Sequence, residues 1–331
     1  MLNQKIKLNQ EMFGSDVKLK ASRDGFGEGI LDAAAVNKNL VVLSADLSYS
    51  VKLEGFMEKY PERFVDCGIA EQNMMGVAAG LAMSGKNPFV VSHAIFTSSR
   101  NLDQIRLSVC LQNANVKICG SHAGLSNGHD GANALPLEDI AIMRVLPNMM
   151  VINTIDSNQT QKAVVEISKH KGPVYLRFSK AKTPLITTKD TPFKMGEADV
   201  LIEGKDVTII SCGPIIYEAM LAAKQLKAKY KIEAEVVSSP TIKPLDEETI
   251  LRSTKKTNCV VTVEEHQING GLGGAIAELL SDKNPLPLLR VGINDTFLES
   301  GTYEELKDKY GLSAHHIEDK VYKFLKSMEK I

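Results

Sequence analysis

Short apolar runs alternate with amphipathic stretches along most of the chain. Residues 39–43 form an apolar run of strand length that ends in the polar Ser44 and Asp46, and residues 63–66 form another that ends in Cys67 and Gly68. From Glu71 to Ser84 the period changes: Met74, Val77, Ala78 and Leu81 recur at helical spacing, and Gly85 follows where a helix stops. Further strand-length runs fall at residues 88–91, 116–119, 150–153 and 174–178. Short apolar strands separated by helices predict a parallel sheet covered on both faces.

The pattern lapses over residues 181–196, where prolines, threonines and lysines crowd together. It then resumes with strands at 207–211, 234–238, 259–264 and 287–291 and helices at 215–227, 246–253 and 272–280. The expected fold class is α/β: two tandem doubly wound domains with mainly parallel sheets, residues 1–180 and 197–331, joined by a linker of residues 181–196. A length of 331 residues agrees, since domains run to roughly 150 residues.

Charge narrows the function classes. There are 39 Lys+Arg against 40 Asp+Glu, without the cationic excess that nucleic-acid and membrane-surface proteins use. The N-terminal stretch lacks the apolar core of a secretory signal and no apolar run is long enough to span a bilayer, so the expected location is cytoplasmic. Five scattered cysteines without a CxxC pair read as buried free thiols; neither a zinc site nor a disulfide is expected, and no metal site made by this chain alone.

Two glycine clusters invite a dinucleotide reading. Gly25, Gly27 and Gly29 precede a strand, whereas a phosphate cradle follows one. Gly270–Gly274 is better placed, between a strand and a helix, although Ile276 stands at the third fingerprint position. Close packing and a nucleotide turn both remain open there, and a non-catalytic nucleotide-binding or regulatory module is one alternative function.

The most informative segment is residues 64–74. A strand ends, the chain turns at Gly68, and Glu71 falls in the first turn of the next helix. Side chains beyond the carboxyl ends of parallel strands line ligand crevices, although a glutamate there also complements the helix dipole.

Residues 68–82, GIAEQNMMGVAAGLA, resemble the segment of transketolases that carries their thiamine-diphosphate glutamate. Residues 88–96 with Asp103-Gln104-Ile105-Arg106 are similar to the family's pyrimidine-ring segment. Ser121-His122-Ala123-Gly124, Asp130-Gly131, Leu137–Ala141, Leu146-Pro147-Asn148, residues 172–177 and Glu264 through Gly274 follow in the family's order, from about Arg23 to about Gly311. The family's Gly-Asp-Gly followed by Asn, which holds metal and diphosphate, has no counterpart. The resemblance therefore implies the C-terminal subunit of a split transketolase, with a pyrimidine-binding and a C-terminal domain. It implies thiamine diphosphate, with Mg2+ or Ca2+ bound mainly by a partner N-terminal subunit carrying the diphosphate-binding domain, in an α2β2 heterotetramer. The implied reaction moves a two-carbon ketol unit from a ketose phosphate to an aldehyde acceptor.

Carried over position by position, the resemblance makes Glu71 the partner of the pyrimidine N1′ and Phe96 its stacking platform. Asp46 becomes a carboxylate near the thiazolium, and His93 stands beside the pyrimidine where the family has phenylalanine. Arg23, Ser50 and Lys180 match phosphate contacts, Lys180 replacing the usual arginine, with Arg177 as the alternative cation. His122, also a candidate catalytic residue, and Asp130 match contacts to the donor's hydroxyls. A family histidine is replaced by Ala134. The nearest rival is the β subunit of a 2-oxoacid dehydrogenase, which shares the domain pair and cofactor; the segments at 137–141 and 146–148 favour the transketolase side. A deoxyxylulose-phosphate synthase fragment is a weaker alternative.

Overall fold

The computed structural model describes residues 2–14 and 16–331. Leu40–Ser44 is buried at every residue and lies inside a seven-stranded sheet. It pairs in parallel with Phe64–Asp66 on one side and Asn87–His93 on the other. Lys117–Ser121, Val174–Arg177 and Met150–Asn153 continue the parallel order. Thr241–Lys243, from the second half of the chain, closes the far edge antiparallel to Met150–Asn153. Strands covered on both faces have no polar side to present, which is why they read as continuous apolar runs.

The second sheet has five strands, in the order Leu288–Ile293, Val260–Gln267, Val207–Ser211, Ala234–Ser238 and Asp199–Ile202. All pair in parallel except Asp199–Ile202, which is antiparallel. Both sheets are mixed but mainly parallel, as the sequence predicts. The two halves share apolar packing: Leu43, Met74, Val90, Ile118 and Tyr175 belong to one cluster with Ile210, Val237, Ile250 and Leu272. No helix among the described residues is long and apolar enough to cross a membrane.

Two local features depart from the expected pattern. Leu19–Ala21 pairs antiparallel with Lys182–Pro184, so part of the 181–196 segment is hydrogen-bonded strand. Ser22–Val36 is a helix that contains Gly25, Gly27 and Gly29. Glycine lowers helix propensity, and here contact explains it. A Cβ on Gly25 would lie 1.9 Å from the carbonyl oxygen of Ser157, and one on Gly29 2.7 Å from that of Gln161. The helix packs against the backbone of Ser157–Ile167.

Candidate active site

Four adjacent parallel strands of the large sheet end on the same side, and each is followed within five residues by a candidate side chain. Ser44 leads to Asp46, Asp66 to Glu71, His93 to Phe96, and Ser121 to His122. The chain runs from Leu40–Ser44 to the edge at Phe64–Asp66 and then returns to the opposite side of Leu40–Ser44. That reversal opens a crevice where ligands bind in such sheets.

Glu71 opens the helix Glu71–Met83 and is 5% exposed. Arg100 Nη1 donates to Glu71 Oε1 at 2.9 Å, and its guanidinium carbon lies 3.9 Å from the centroid of the Phe96 ring. His93 stacks with Phe96, centroids 5.6 Å apart, and with His122 at 3.7 Å. Ser50 Oγ lies 3.2 Å from His93 Nε2 and 3.1 Å from His122 Nε2. Ser121 Oγ lies 2.9 Å from His122 Nδ1, and Arg23 Nη1 donates to the Ser50 carbonyl at 2.9 Å. A continuous file of contacts thus runs from Glu71 through Arg100, Phe96 and His93 to Ser50, which joins both His122 and Arg23.

Burial pushes the His93 imidazole down to about 4, with Lys180 and Arg23 adding to the effect and Asp130 opposing it. Burial lowers His122 further, to about 2, helped by His93, Lys180 and Arg23. Both rings are neutral near pH 7. The charges of Lys180 and Arg23 thus act on both histidines, and that of Asp130 on His93. Lys180 Nζ donates to Asn127 Oδ1 at 3.2 Å, and Asn127 Nδ2 donates to the carbonyl of Ala134 at 3.4 Å. Ala134 itself is buried.

Asp46 is exposed, with φ of 57°. Its amide donates to Asp66 Oδ1 at 3.1 Å, and that oxygen also accepts from the Gly68 amide at 2.9 Å. Asp66 therefore ties the loop of Asp46 to the turn before Glu71. Gly68 has φ of 66°, a conformation that costs a side-chain-bearing residue energy.

Arg177 lies apart from the file of contacts. It is 1% exposed; Nε donates to Asp139 Oδ2 at 2.8 Å, and Nη2 to the carbonyls of Pro136 and Glu265. These bonds join the two halves of the chain, and they commit the guanidinium to the junction instead of a phosphate.

The Gly270–Gly274 turn has its own occupant. Glu264, 1% exposed, accepts from the amides of Leu272 at 2.7 Å and Gly273 at 2.8 Å. A Cβ on Gly271 would lie 2.1 Å from Glu264 Oε2. The anion site at this helix N-terminus is filled by a carboxylate of the protein, so the turn is a packing device and the nucleotide-module alternative loses its support.

Sequence reasoning missed Arg100, Asp66, Asn127 and Asp139. For Arg100 a local signal existed: it follows Phe96 by four residues, a spacing at which side chains meet.

Comparison with known proteins identifies the family. The family description "Transketolase, pyrimidine binding domain" matches residues 19–185, and "Transketolase, C-terminal domain" matches residues 196–317. A putative transketolase C-terminal section of Methanocaldococcus jannaschii is 44% identical over 93% of this chain and 97% of its own length. A 6-deoxy-6-sulfo-D-fructose transketolase subunit of Clostridium sp. is 43% identical over 91% of this chain and 94% of its own. A solved structure described as a split gene transketolase, inactive beta4 tetramer, superposes with a TM-score of 0.84 at 42% identity, covering 92% of this chain and 98% of that one. The order of strands, the crevice at their carboxyl ends and these matches along nearly the whole length lead to one conclusion: the chain belongs to the transketolase family, as the C-terminal-section subunit of a split transketolase.

Proposed function

We propose that this subunit supplies the pyrimidine-binding half of a thiamine-diphosphate site that moves a two-carbon ketol unit from a ketose phosphate to an aldehyde acceptor. The observation that carries this reading is the placing of a buried carboxylate, Glu71, and an aromatic face, Phe96, around one planar group. Residues so placed fit an aminopyrimidine, which needs an in-plane hydrogen-bond partner and a stacking surface. When bound, thiamine diphosphate would supply the carbanion chemistry that breaks the donor's C2–C3 bond and joins the two-carbon unit to the acceptor's aldehyde carbon.

The chain's own residues hold and orient. Glu71 shares a proton with N1′, Phe96 supports the ring face with His93 beside it, and Asp46 offers negative charge to the cationic thiazolium. Neutral His122, with Ser50 and His93, presents a hydrogen-bonding wall to the donor's hydroxyls, and Asp130 is assigned to the same hydroxyls. Arg23 and Lys180 take the phosphate, Lys180 as a point charge instead of a bidentate fork. Arg177 is assigned to the junction between the halves. The family matches at 19–185 and 196–317 support a pyrimidine-binding domain ending near residue 180 and a C-terminal domain from about 197, but the start of the chain departs from the expected bounds of 1–180, because Leu8 and Met12 pack into the apolar core of the second sheet with Leu201 and Val236.

The diphosphate and its Mg2+ or Ca2+ fall to an N-terminal subunit, in an α2β2 heterotetramer. Three features support a partner. The Gly-Asp-Gly…Asn pattern is missing from the sequence. The helix Glu71–Met83 leaves Gly76, Val77 and Gly80 uncovered, and Ile69, Leu107 and Leu111 are exposed. The solved relative is described as an inactive assembly of four β chains. Relatives named for 6-deoxy-6-sulfo-D-fructose and apulose 4-phosphate, together with Ala134 and His93 in place of the usual residues, favour a donor other than a linear pentulose phosphate.

The test is reconstitution with an N-terminal subunit, thiamine diphosphate and magnesium, followed by exchange of the cofactor's C2 proton. Glu71→Ala is expected to slow exchange by roughly 10²–10⁴. Unchanged exchange in that variant, or full turnover by the partner-free chain, refutes the reading.

A further inference from the structure

We infer that Arg100 is a built-in placeholder for the aminopyrimidine, which closes the cofactor face of the unloaded subunit and leaves it when the cofactor arrives. The inference rests on the reading of Glu71 and Phe96 proposed above and adds a residue outside the motifs that carry the family resemblance.

A guanidinium is planar and delocalised; it donates N–H groups in its plane while stacking through its face. Arg100 does both at once. Nη1 bonds Glu71 Oε1 at 2.9 Å, and the guanidinium carbon sits 3.9 Å from the Phe96 centroid. These are the two contacts that the aminopyrimidine requires. A separation of 3.9 Å is van der Waals contact, so a second ring cannot enter between Arg100 and Phe96. Arginine and cofactor are therefore alternatives at one position.

The surroundings allow the exchange. Gln72 Nε2 donates to the carbonyl of Arg100 at 2.9 Å, and Asn101 Nδ2 donates to the carbonyl of Glu71 at 3.4 Å. The main chain beside Arg100 is thereby anchored to the start of the Glu71 helix. The Arg100 side chain is 48% exposed, against 6% for that of Glu71, so it has open solvent into which to swing. Its presence also has an electrostatic reason. An ionised carboxylate as buried as Glu71 is costly without a counter-charge, and Arg100 supplies one until a ring nitrogen takes over. Each ligand must then compete with the arginine, and apparent affinity falls by the fraction of chains that stand open.

The pyrimidine end alone tests this on the full-length chain, because it needs neither diphosphate nor partner. The probe is 4-amino-5-hydroxymethyl-2-methylpyrimidine, titrated by ligand-observed NMR. Arg100→Ala is expected to bind it on the order of 10–100-fold more tightly than the wild type, as a site closed in roughly ninety to ninety-nine of a hundred chains requires. Arg100→Lys, which keeps the charge and loses the planar stack, falls between them. Glu71→Ala in the Arg100→Ala background abolishes the gain. Glu71-dependent binding that is equal or weaker in Arg100→Ala overturns the placeholder and leaves the role of Glu71 standing. Absence of Glu71-dependent binding in every variant overturns both.

Discussion

The imidazoles of His93 and His122 lie ring against ring, 3.7 Å apart, and share the hydroxyl of Ser50. A single hydroxyl proton goes to only one Nε2, so the other ring donates its own proton to Ser50. Two stacked imidazolium rings would repel, and burial together with Lys180 and Arg23 keeps both neutral.

This arrangement makes stability depend on pH in a stated direction. An unfolded histidine titrates near 6.5, whereas folded His93 titrates at about 4 and His122 at about 2. Below pH ~6.5 the unfolded chain binds protons that the folded chain refuses. The stability present above pH ~6.5 is lost as pH falls toward the folded values. His93→Phe removes one of these groups, so its urea midpoint should decline less steeply than that of the wild type between pH 6.5 and 4.5. Parallel curves would show that His93 is not held neutral.

A second prediction concerns the junction. Asp139 Oδ2 accepts from the Tyr175 hydroxyl at 2.7 Å and from Arg177 Nε at 2.8 Å, with all three side chains buried. Burial pulls the Arg177 guanidinium down, but Asp139 holds it above its ordinary range. Asp139→Asn leaves a buried cation without a counter-charge and should cost on the order of 3–5 kcal/mol in urea unfolding. Asp139→Asn combined with Arg177→Met should lose less than the two single changes added together, because the pair is coupled. Additive losses would argue against a buried ion pair.

Substrate choice gives a third. Ala134 cannot donate a hydrogen bond from its side chain, and its carbonyl is held by Asn127, which also binds Lys180. A charge-assisted contact is worth about 1.5–3 kcal/mol, or roughly tenfold to over a hundredfold in rate when it acts in the transition state. In the reconstituted enzyme, Ala134→His should gain on a linear pentulose phosphate and lose on a branched ketose phosphate, measured as kcat/KM. No change on either sugar would remove Ala134 from the specificity determinants.

Much of this was legible along the chain, for a physical reason. Leu40–Ser44 and Lys117–Ser121 are buried on both faces, so each reads as an unbroken apolar run. Glu71 stood out because strand, turn and helix follow one another within eight residues. The glycine-bearing helix Ser22–Val36 does not stand out, since Gly25 and Gly29 answer to Ser157 and Gln161, more than a hundred residues away. Thr241–Lys243 crosses into the sheet of the first half, for which no local pattern exists. Arg100 has a local partner in Phe96, but its ion pair is with Glu71, 29 residues earlier. The Gly270–Gly274 turn is ambiguous in sequence because the carboxylate that caps it, Glu264, comes from the preceding strand.

The last prediction separates stability from assembly. A Cβ added to Gly76 would meet nothing within 4 Å, and Gly76 lies within the helix Glu71–Met83. Replacing glycine by alanine in an open helix interior stabilises by about 1 kcal/mol, so Gly76→Ala should raise the melting temperature of the isolated chain. Gly25→Ala makes the contrast. Its Cβ would fall 1.9 Å from the Ser157 carbonyl, and overpacking of that kind costs about 1–3 kcal/mol. If the uncovered face of Gly76, Val77 and Gly80 is where the N-terminal subunit docks, the same added methyl group that stabilises the isolated chain must weaken the complex. Gly76→Ala should then combine a higher melting temperature with a lower yield of reconstituted enzyme at limiting partner concentration, read by sedimentation and by activity. A variant that melts higher and assembles as well as the wild type would place the partner on another surface.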